Sequence, residues 1–238
     1  MNQRNRVDGQ PAFVLHAYPY SETSLIADVF SRDYGRLPLL ARGARRPRSV
    51  LRGLLLAFQP LELAWAGSGE VKTLIKAEWQ GGQPLLAGRS LFCAYYLNEL
   101  LMQLLPREDA HVRLFAVYAE TLQRFAISAQ EGDLRRFERV LLQELGYGPT
   151  LEIDVEGLAV DTDADYVYEV ERGPVRVSPA DERARSLRGQ TLIDLAREDF
   201  SNPRSLVEAK QLMRTLIGHY TGGRKLVSRA IYRELHEL

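Results

Sequence analysis

The chain has 238 residues, enough for one large domain or two or three small ones, and its 31 basic residues are balanced by 31 acidic ones. With a net charge of zero, a polyanion-binding role must rest on segregated charge rather than on the total. Cys93 is the only cysteine, which excludes an internal disulfide and a multi-cysteine zinc site. No apolar run reaches the roughly 18–20 residues of a membrane span, and Met1 to Gln10 lacks the apolar core of a signal peptide, so a cytoplasmic protein is expected.

Residues 11 to 80 read as β structure. Short apolar runs at Phe13 to Tyr18, Leu25 to Phe30 and Leu37 to Ala41 are separated by Pro19 and by the turn at Asp33-Tyr34-Gly35. Ser49 to Phe58 is leucine-rich but interrupted by Gly53, and its type stays open. Leu61 to Ala66 and Val71 to Trp79 alternate around Gly67-Ser68-Gly69 and read as a hairpin. Five strands in about 70 residues suit a small barrel such as an OB-fold, which binds single strands by backbone charge and aromatic stacking. Tyr18, Tyr20, Tyr34, Phe58, Trp65 and Trp79 are the candidate stackers; the alternation around Trp65 favours core packing for that residue.

The third strand leads into the basic part of R-L-P-L-L-A-R-G-A-R-R-P-R-S-V-L-R, Arg36 to Arg52. It carries Arg36, Arg42, Arg45, Arg46, Arg48 and Arg52 and no acidic residue. Gly43 and Pro47 break any helix there, so the apolar run before it delivers the charges onto a loop. The guanidinium fork fits phosphate oxygens, and arginines without counter-charges repel one another unless an anion joins them. A solvated charged loop is the plain alternative; a nucleic-acid contact is the sharper one. Arg36, together with Lys72 and Lys76 on the fifth strand, is a lesser candidate for the same contact.

After Gly81-Gly82-Gln83-Pro84 the pattern turns helical. Leu91 to Leu105 is apolar around most of its circumference and ends at Pro106, and Cys93 within it is expected to pack in the core. Asp109 to Ile127 and Leu134 to Leu145 carry apolar stripes at helical spacing, and Gly146 stops the latter. Residues 148 to 180 lose this periodicity, with short strands at Tyr166 to Val170 and Val175 to Val177, and Glu152 to Glu171 is acidic. Asp161, Asp163 and Asp165 are hard-cation ligand types but lack an EF-hand's glycine and distal glutamate, so a solvated loop is expected. Helical signals return at Gln190 to Asp199. Asn202 then caps Pro203 and a long helix over Arg204 to Tyr220, whose apolar face is Leu206, Val207, Leu212, Met213, Leu216 and Ile217. Gly222-Gly223 ends it, and Leu226 to Leu235 reads as a last short helix. This C-terminal tract is again basic: Lys210, Arg214, Arg224, Lys225, Arg229 and Arg233.

No nucleophile elbow, phosphate-binding loop, dinucleotide fingerprint or histidine pair is present, and His16, His111, His219 and His236 have no ligand spacing. Nothing supports catalysis, and no catalytic residue is assigned.

S-E-T-S-L-I at Ser21 to Ile26, D-Y-G-R at Asp33 to Arg36, A-R-G-A-R-R at Ala41 to Arg46, Y-Y-L-N-E-L at Tyr95 to Leu100, L-F-A-V-Y at Leu114 to Tyr118, R-F-E-R-V-L-L-Q-E-L-G-Y at Arg136 to Tyr147 and Y-T-G-G-R-K-L-V-S-R at Tyr220 to Arg229 together resemble the RecO family of bacterial recombination mediators, over nearly the whole chain. The resemblance implies an α+β protein: an OB-fold at about 1–82 followed by a mainly helical domain at 83–238. It implies binding of single- and double-stranded DNA, strand annealing, and partnership with RecR and with the tail of the single-stranded-DNA-binding protein, so that RecA is loaded onto coated gaps. Lys210, Arg214, Arg224, Lys225 and Arg229 are the candidates for partner binding. Many relatives carry a four-cysteine zinc motif whose first C-x-x-C follows L-G-Y-x-P-x-L. Leu145 to Leu151 matches that lead-in, but Asp154 and Gly157 stand at the cysteine positions, so the acidic insertion at about 148–180 is expected to replace the zinc module, with no metal or other cofactor. Two other readings stay open: an OB-fold RNA-binding factor, and a metal-dependent hydrolase using the acidic loop.

Overall fold

Five strands, β1 (Arg6–Pro19), β2 (Leu25–Ser31), β3 (Gly35–Ala41), β4 (Leu61–Ala66) and β5 (Lys72–Trp79), close into a barrel in the order β1-β2-β3-β5-β4. This is the OB-fold expected from the sequence. The computed structural model describes residues 5–178, 186–228 and 230–231. Strand β1 makes closure possible because it is long enough to serve two neighbours. Ala12 to Pro19 pairs antiparallel with β2, and Arg6 to Ala12 pairs with β4. Bulges between Val14 and His16 and between Val7 and Gln10 bend it from one partner to the other. A short parallel contact, Leu39 with Lys72 and Leu40 with Thr73, closes β3 onto β5. The first half of β1 was not expected, because Arg6 to Gln10 is polar and is a strand only through its pairing with β4. The ambiguous 49–58 segment holds a single helical turn, α1 (Leu51–Leu54).

Alternation along the strands fills the barrel with Ala12, Val14, Ala27, Val29, Leu37, Leu39, Leu61, Leu63, Trp65 and Leu74. The other face of β1 and β2 is buried too. Phe13 and Phe30 meet Phe115 and Tyr118 at ring-centroid distances of 5.2–6.1 Å. Those two rings belong to α3 (Val112–Ile127), which follows α2 (Gly88–Leu104). Asn98 of α2 joins all three elements: its Nδ2 donates to the Leu15 carbonyl at 2.8 Å and its Oδ1 accepts from the Tyr118 hydroxyl at 2.5 Å. Cys93, expected in the core, is only partly buried.

Chain contacts group the barrel, α2 and α3 into one unit, residues 1–129 with 226–238, and residues 130–225 into a second. The second unit contains α4 (Glu131–Glu144), a three-stranded sheet of β6 (Asp165–Glu169), β7 (Gly173–Arg176) and β8 (Leu187–Arg188), then α5 (Gly189–Arg197) and α6 (Pro203–Tyr220). Asn202 caps α6 through Oδ1, which accepts from the Arg204 amide at 3.0 Å, with Pro203 in the first turn. Phe137, Leu141, Tyr166, Leu192, Leu195, Met213 and Leu216 are fully enclosed. Val207, expected on the apolar face of α6, is 55% exposed. The last short helix is described only in part. Among the described residues, no helix is long and apolar enough to cross a membrane.

Candidate nucleic-acid interface

The basic loop leaves β3 at Ala41 and is tethered by one buried side chain, Ala44. Successive tight turns follow, with the Arg46 amide bonded to the Gly43 carbonyl and the Ser49 amide to the Arg46 carbonyl. Gly43 has φ +71°, which explains a glycine there. A chain so tightly turned around one small anchor must send its long side chains outward: Arg42, Arg45, Arg46, Arg48 and Arg52 are all exposed. Among the described residues no carboxylate pairs with Arg42, Arg46, Arg48 or Arg52. Arg45 differs. Its amide donates to the Thr23 carbonyl at 2.9 Å and its Nη1 to the Ser21 carbonyl at 2.6 Å, so it fastens the basic loop to the β1–β2 loop.

The three lesser candidates sit in other settings. Arg36 is partly buried, with Nε donating to the Leu105 carbonyl at the end of α2; burial lowers its pKa, partly offset by Asp28. Lys72 is largely covered and ion-paired to Glu108. Lys76 is open but pairs with Glu78 at 2.7 Å, a hydrogen bond that raises its pKa. Of the eight candidate DNA contacts, Arg42, Arg46, Arg48 and Arg52 therefore combine exposure with no carboxylate partner among the described residues. Sequence reasoning had no signal for the partners of Arg36 and Lys72, which lie 69 and 36 residues away along the chain.

The aromatic candidates divide similarly. Trp65 is buried, with Tyr34 edge-on to it at 5.3 Å, and Phe58 is buried against Tyr95 at 4.9 Å. Trp79 is exposed and donates to Gln59. Tyr18 and Tyr20 are exposed beside the loop that Arg45 holds.

In the second unit, Arg214, Arg224 and Lys225 are exposed and no carboxylate pairs with them among the described residues, whereas Lys210 pairs with Glu131 at 2.8 Å. Arg229 and Arg233 lie outside the described residues. Leu212, Met213, Leu216 and Ile217 are buried, so they line no open pocket. A cavity of about 350 Å³ in this unit is lined instead by Arg139, Gln143, Leu151 and Glu152 among others.

The acidic segment is held by its own backbone and by arginines. Asp154 is buried, and its Oδ1 accepts from the Glu156 and Leu158 amides at 2.9 Å each, while Gly157 closes the turn at φ +81°. These residues do not fit zinc: one position has no side chain, and the carboxylate at the other is occupied by amide hydrogens. Asp161 accepts from Arg176 at 2.9 Å, and Asp165 lies 3.7 Å from Arg188. Among the described residues no three His, Cys, Asp or Glu side chains gather as a metal site.

Residues 8–82 match the family model "Recombination protein O N terminal" and residues 86–230 match "Recombination protein O C terminal". The chain is 60% identical over 242 residues to the DNA repair protein RecO of Dechloromonas aromatica, and 54% identical over 241 residues to that of Aromatoleum aromaticum, in each case over the full length of both chains. That of Azoarcus sp. is 52% identical over 243 residues, again at full coverage. With both halves matched in order by its models, and with full-length relatives at this identity, the chain belongs to the RecO family of DNA repair and recombination proteins.

Proposed function

We propose that this protein is a non-enzymatic, cytoplasmic recombination mediator that binds single- and double-stranded DNA and anneals complementary strands. The observation that carries the reading is the set of four exposed guanidiniums with no carboxylate partner among the described residues, Arg42, Arg46, Arg48 and Arg52, on the β3–β4 connection of an OB-fold barrel. Two complementary strands repel each other through their phosphates. A loop whose own charges repel until anions arrive lowers that barrier by neutralising both strands as they meet. Arg45 contributes mainly by holding the loop, and Arg36, Lys72 and Lys76 play a minor part, since each is already engaged.

The exposed Arg214, Arg224 and Lys225 are the proposed contacts for RecR or for the acidic tail of the single-stranded-DNA-binding protein, in the service of RecA loading. A charge-assisted contact contributes about 1.5–3 kcal/mol, so losing one weakens tail binding roughly tenfold or more. The arginine-paired Asp161 and Asp165 lend no support to a metal-dependent hydrolase.

The test is annealing of complementary oligonucleotides by the wild type and by the Arg42→Ala/Arg46→Ala/Arg48→Ala/Arg52→Ala variant. The reading requires annealing that the variant loses while it stays folded. Equal rates, or preference for RNA over DNA of one sequence, would replace it with a solvated loop or an RNA-binding factor.

A further inference from the structure

The end of β1 and the start of the β1–β2 loop carry rings that the phosphate reading leaves unused. His16 and Tyr18 are alternate residues of β1 and lie on one face, and Tyr20 follows one residue past the strand's end. All three are exposed, Tyr20 at 63%, and the His16 and Tyr18 rings stack with centroids 6.1 Å apart and planes 26° apart. The loop closes on itself: the Tyr20 amide donates to the Ser24 carbonyl at 3.1 Å, and the Ser24 amide donates to Ser21 Oγ at 3.2 Å. Arg45 ties this loop to the basic one through the Ser21 and Thr23 carbonyls. Pre-formed aromatic surface is thereby fixed beside unpaired positive charge. Two other exposed rings on the barrel lack that setting: Trp79 stands next to the Glu62–Glu78 register pair, whose carboxylates repel phosphates, and Tyr34 packs edge-on against Trp65.

We propose that the β1–β2 loop is a base-stacking subsite, in which Tyr20, backed by Tyr18 and His16, takes an unpaired nucleobase of a strand whose phosphates lie on Arg42, Arg46, Arg48 and Arg52. The inference rests on the DNA-binding reading above and adds selectivity to it. Arginines grip any phosphate backbone, paired or not. A tyrosine face needs the face of a base, and in a duplex those faces are covered by neighbouring base pairs. The subsite therefore favours single strands, and base pairing removes its contribution. An annealed product is held by phosphates alone and leaves more readily than the strands that formed it.

The test is fluorescence anisotropy of the full chain with labelled oligothymidylate, an abasic strand of equal length, a duplex of equal length and oligouridylate. Tyr20→Ser should weaken binding to oligothymidylate about tenfold, equivalent to about 1.4 kcal/mol. It should leave the abasic strand and duplex within about twofold of wild type and the salt dependence unchanged. Tyr20→Phe, which keeps the ring, should bind as wild type does. Equal losses on all the ligands, no loss on oligothymidylate, or a Tyr20→Phe loss as large as that of Tyr20→Ser would overturn the subsite. A loss confined to oligouridylate would assign it to RNA and overturn it for DNA. Wild type that binds oligothymidylate no better than the abasic strand, with a steep salt dependence in both cases, overturns the subsite but leaves the phosphate reading standing. Wild type that binds none of the ligands overturns both.

Discussion

Arg45 donates from Nη1 to the carbonyl of Ser21 at 2.6 Å, and this bond separates Arg45 from the four other exposed arginines of its loop. A guanidinium already bonded to protein releases fewer counterions when DNA arrives than one facing solvent. Arg45→Ala is therefore expected to change the slope of log K against log salt by less than about 0.3, whereas Arg46→Ala shifts it by about 0.7. Equal shifts from the two variants, in single-strand titrations, would show that Arg45 is a phosphate contact like its neighbours.

Gly35 sits at φ +64°, and a β-carbon there would lie 1.9 Å from the Asp109 carbonyl oxygen. Gly81 has a similar φ of +76° but open space around it. Gly35→Ala should cost roughly 3 kcal/mol or more, through overpacking added to backbone strain. Gly81→Ala should cost only about 1 kcal/mol, from strain alone. Urea unfolding of the two variants measures the difference, and similar losses would mean that the turn yields to the added methyl.

The Asp154 turn is held by the Glu156 and Leu158 amides. Both of its side-chain bonds go to Oδ1, an atom that asparagine keeps, so Asp154→Asn should lose under about 1 kcal/mol. Asp154→Ala leaves two amides without their acceptor and should lose about 1–3 kcal/mol. Thermal melts of the wild type should not move on chelation, and a chelator-induced drop in Tm would reinstate a metal.

Alkaline stability follows the buried tyrosines. Burial pushes Tyr168 up to about 12, against a hydrogen bond from the Thr150 backbone, and burial raises Tyr118 further, against its bond to Asn98. An acid whose folded pKa is raised contributes stability fully below its unfolded value, near 10, and loses it as pH rises toward the folded value. Stability should fall between about pH 10 and 12, and Tyr168→Phe should reduce that fall. An unchanged profile in Tyr168→Phe, read by urea midpoints, contradicts the assignment.

What the sequence made legible was local chemistry. The Asn202-Pro203 start of α6, the Gly67-Ser68-Gly69 hairpin and the Gly146 stop of α4 are written in adjacent residues, and each lies where expected. The polar first half of β1 and the two-residue β8 are strands only because distant chain pairs with them. Six clustered arginines were visible in the sequence, but what separates them was not. Arg36 is bound to the end of α2 and Arg45 to Ser21, partners that no spacing rule reveals. Val207 shows the converse: its helical periodicity fits the apolar face, yet no neighbour covers it.

The central claim is that the loop arginines neutralise DNA phosphates, and salt-dependent binding to single-stranded DNA tests it most directly. Four contacts predict a slope of log K against log salt of about −3 for the wild type. The Arg42→Ala/Arg46→Ala variant should flatten it by about 1.4, at about 0.7 per lost contact. A wild-type slope near zero, or the same slope in the folded variant, would contradict the account and return the loop to ordinary solvated surface.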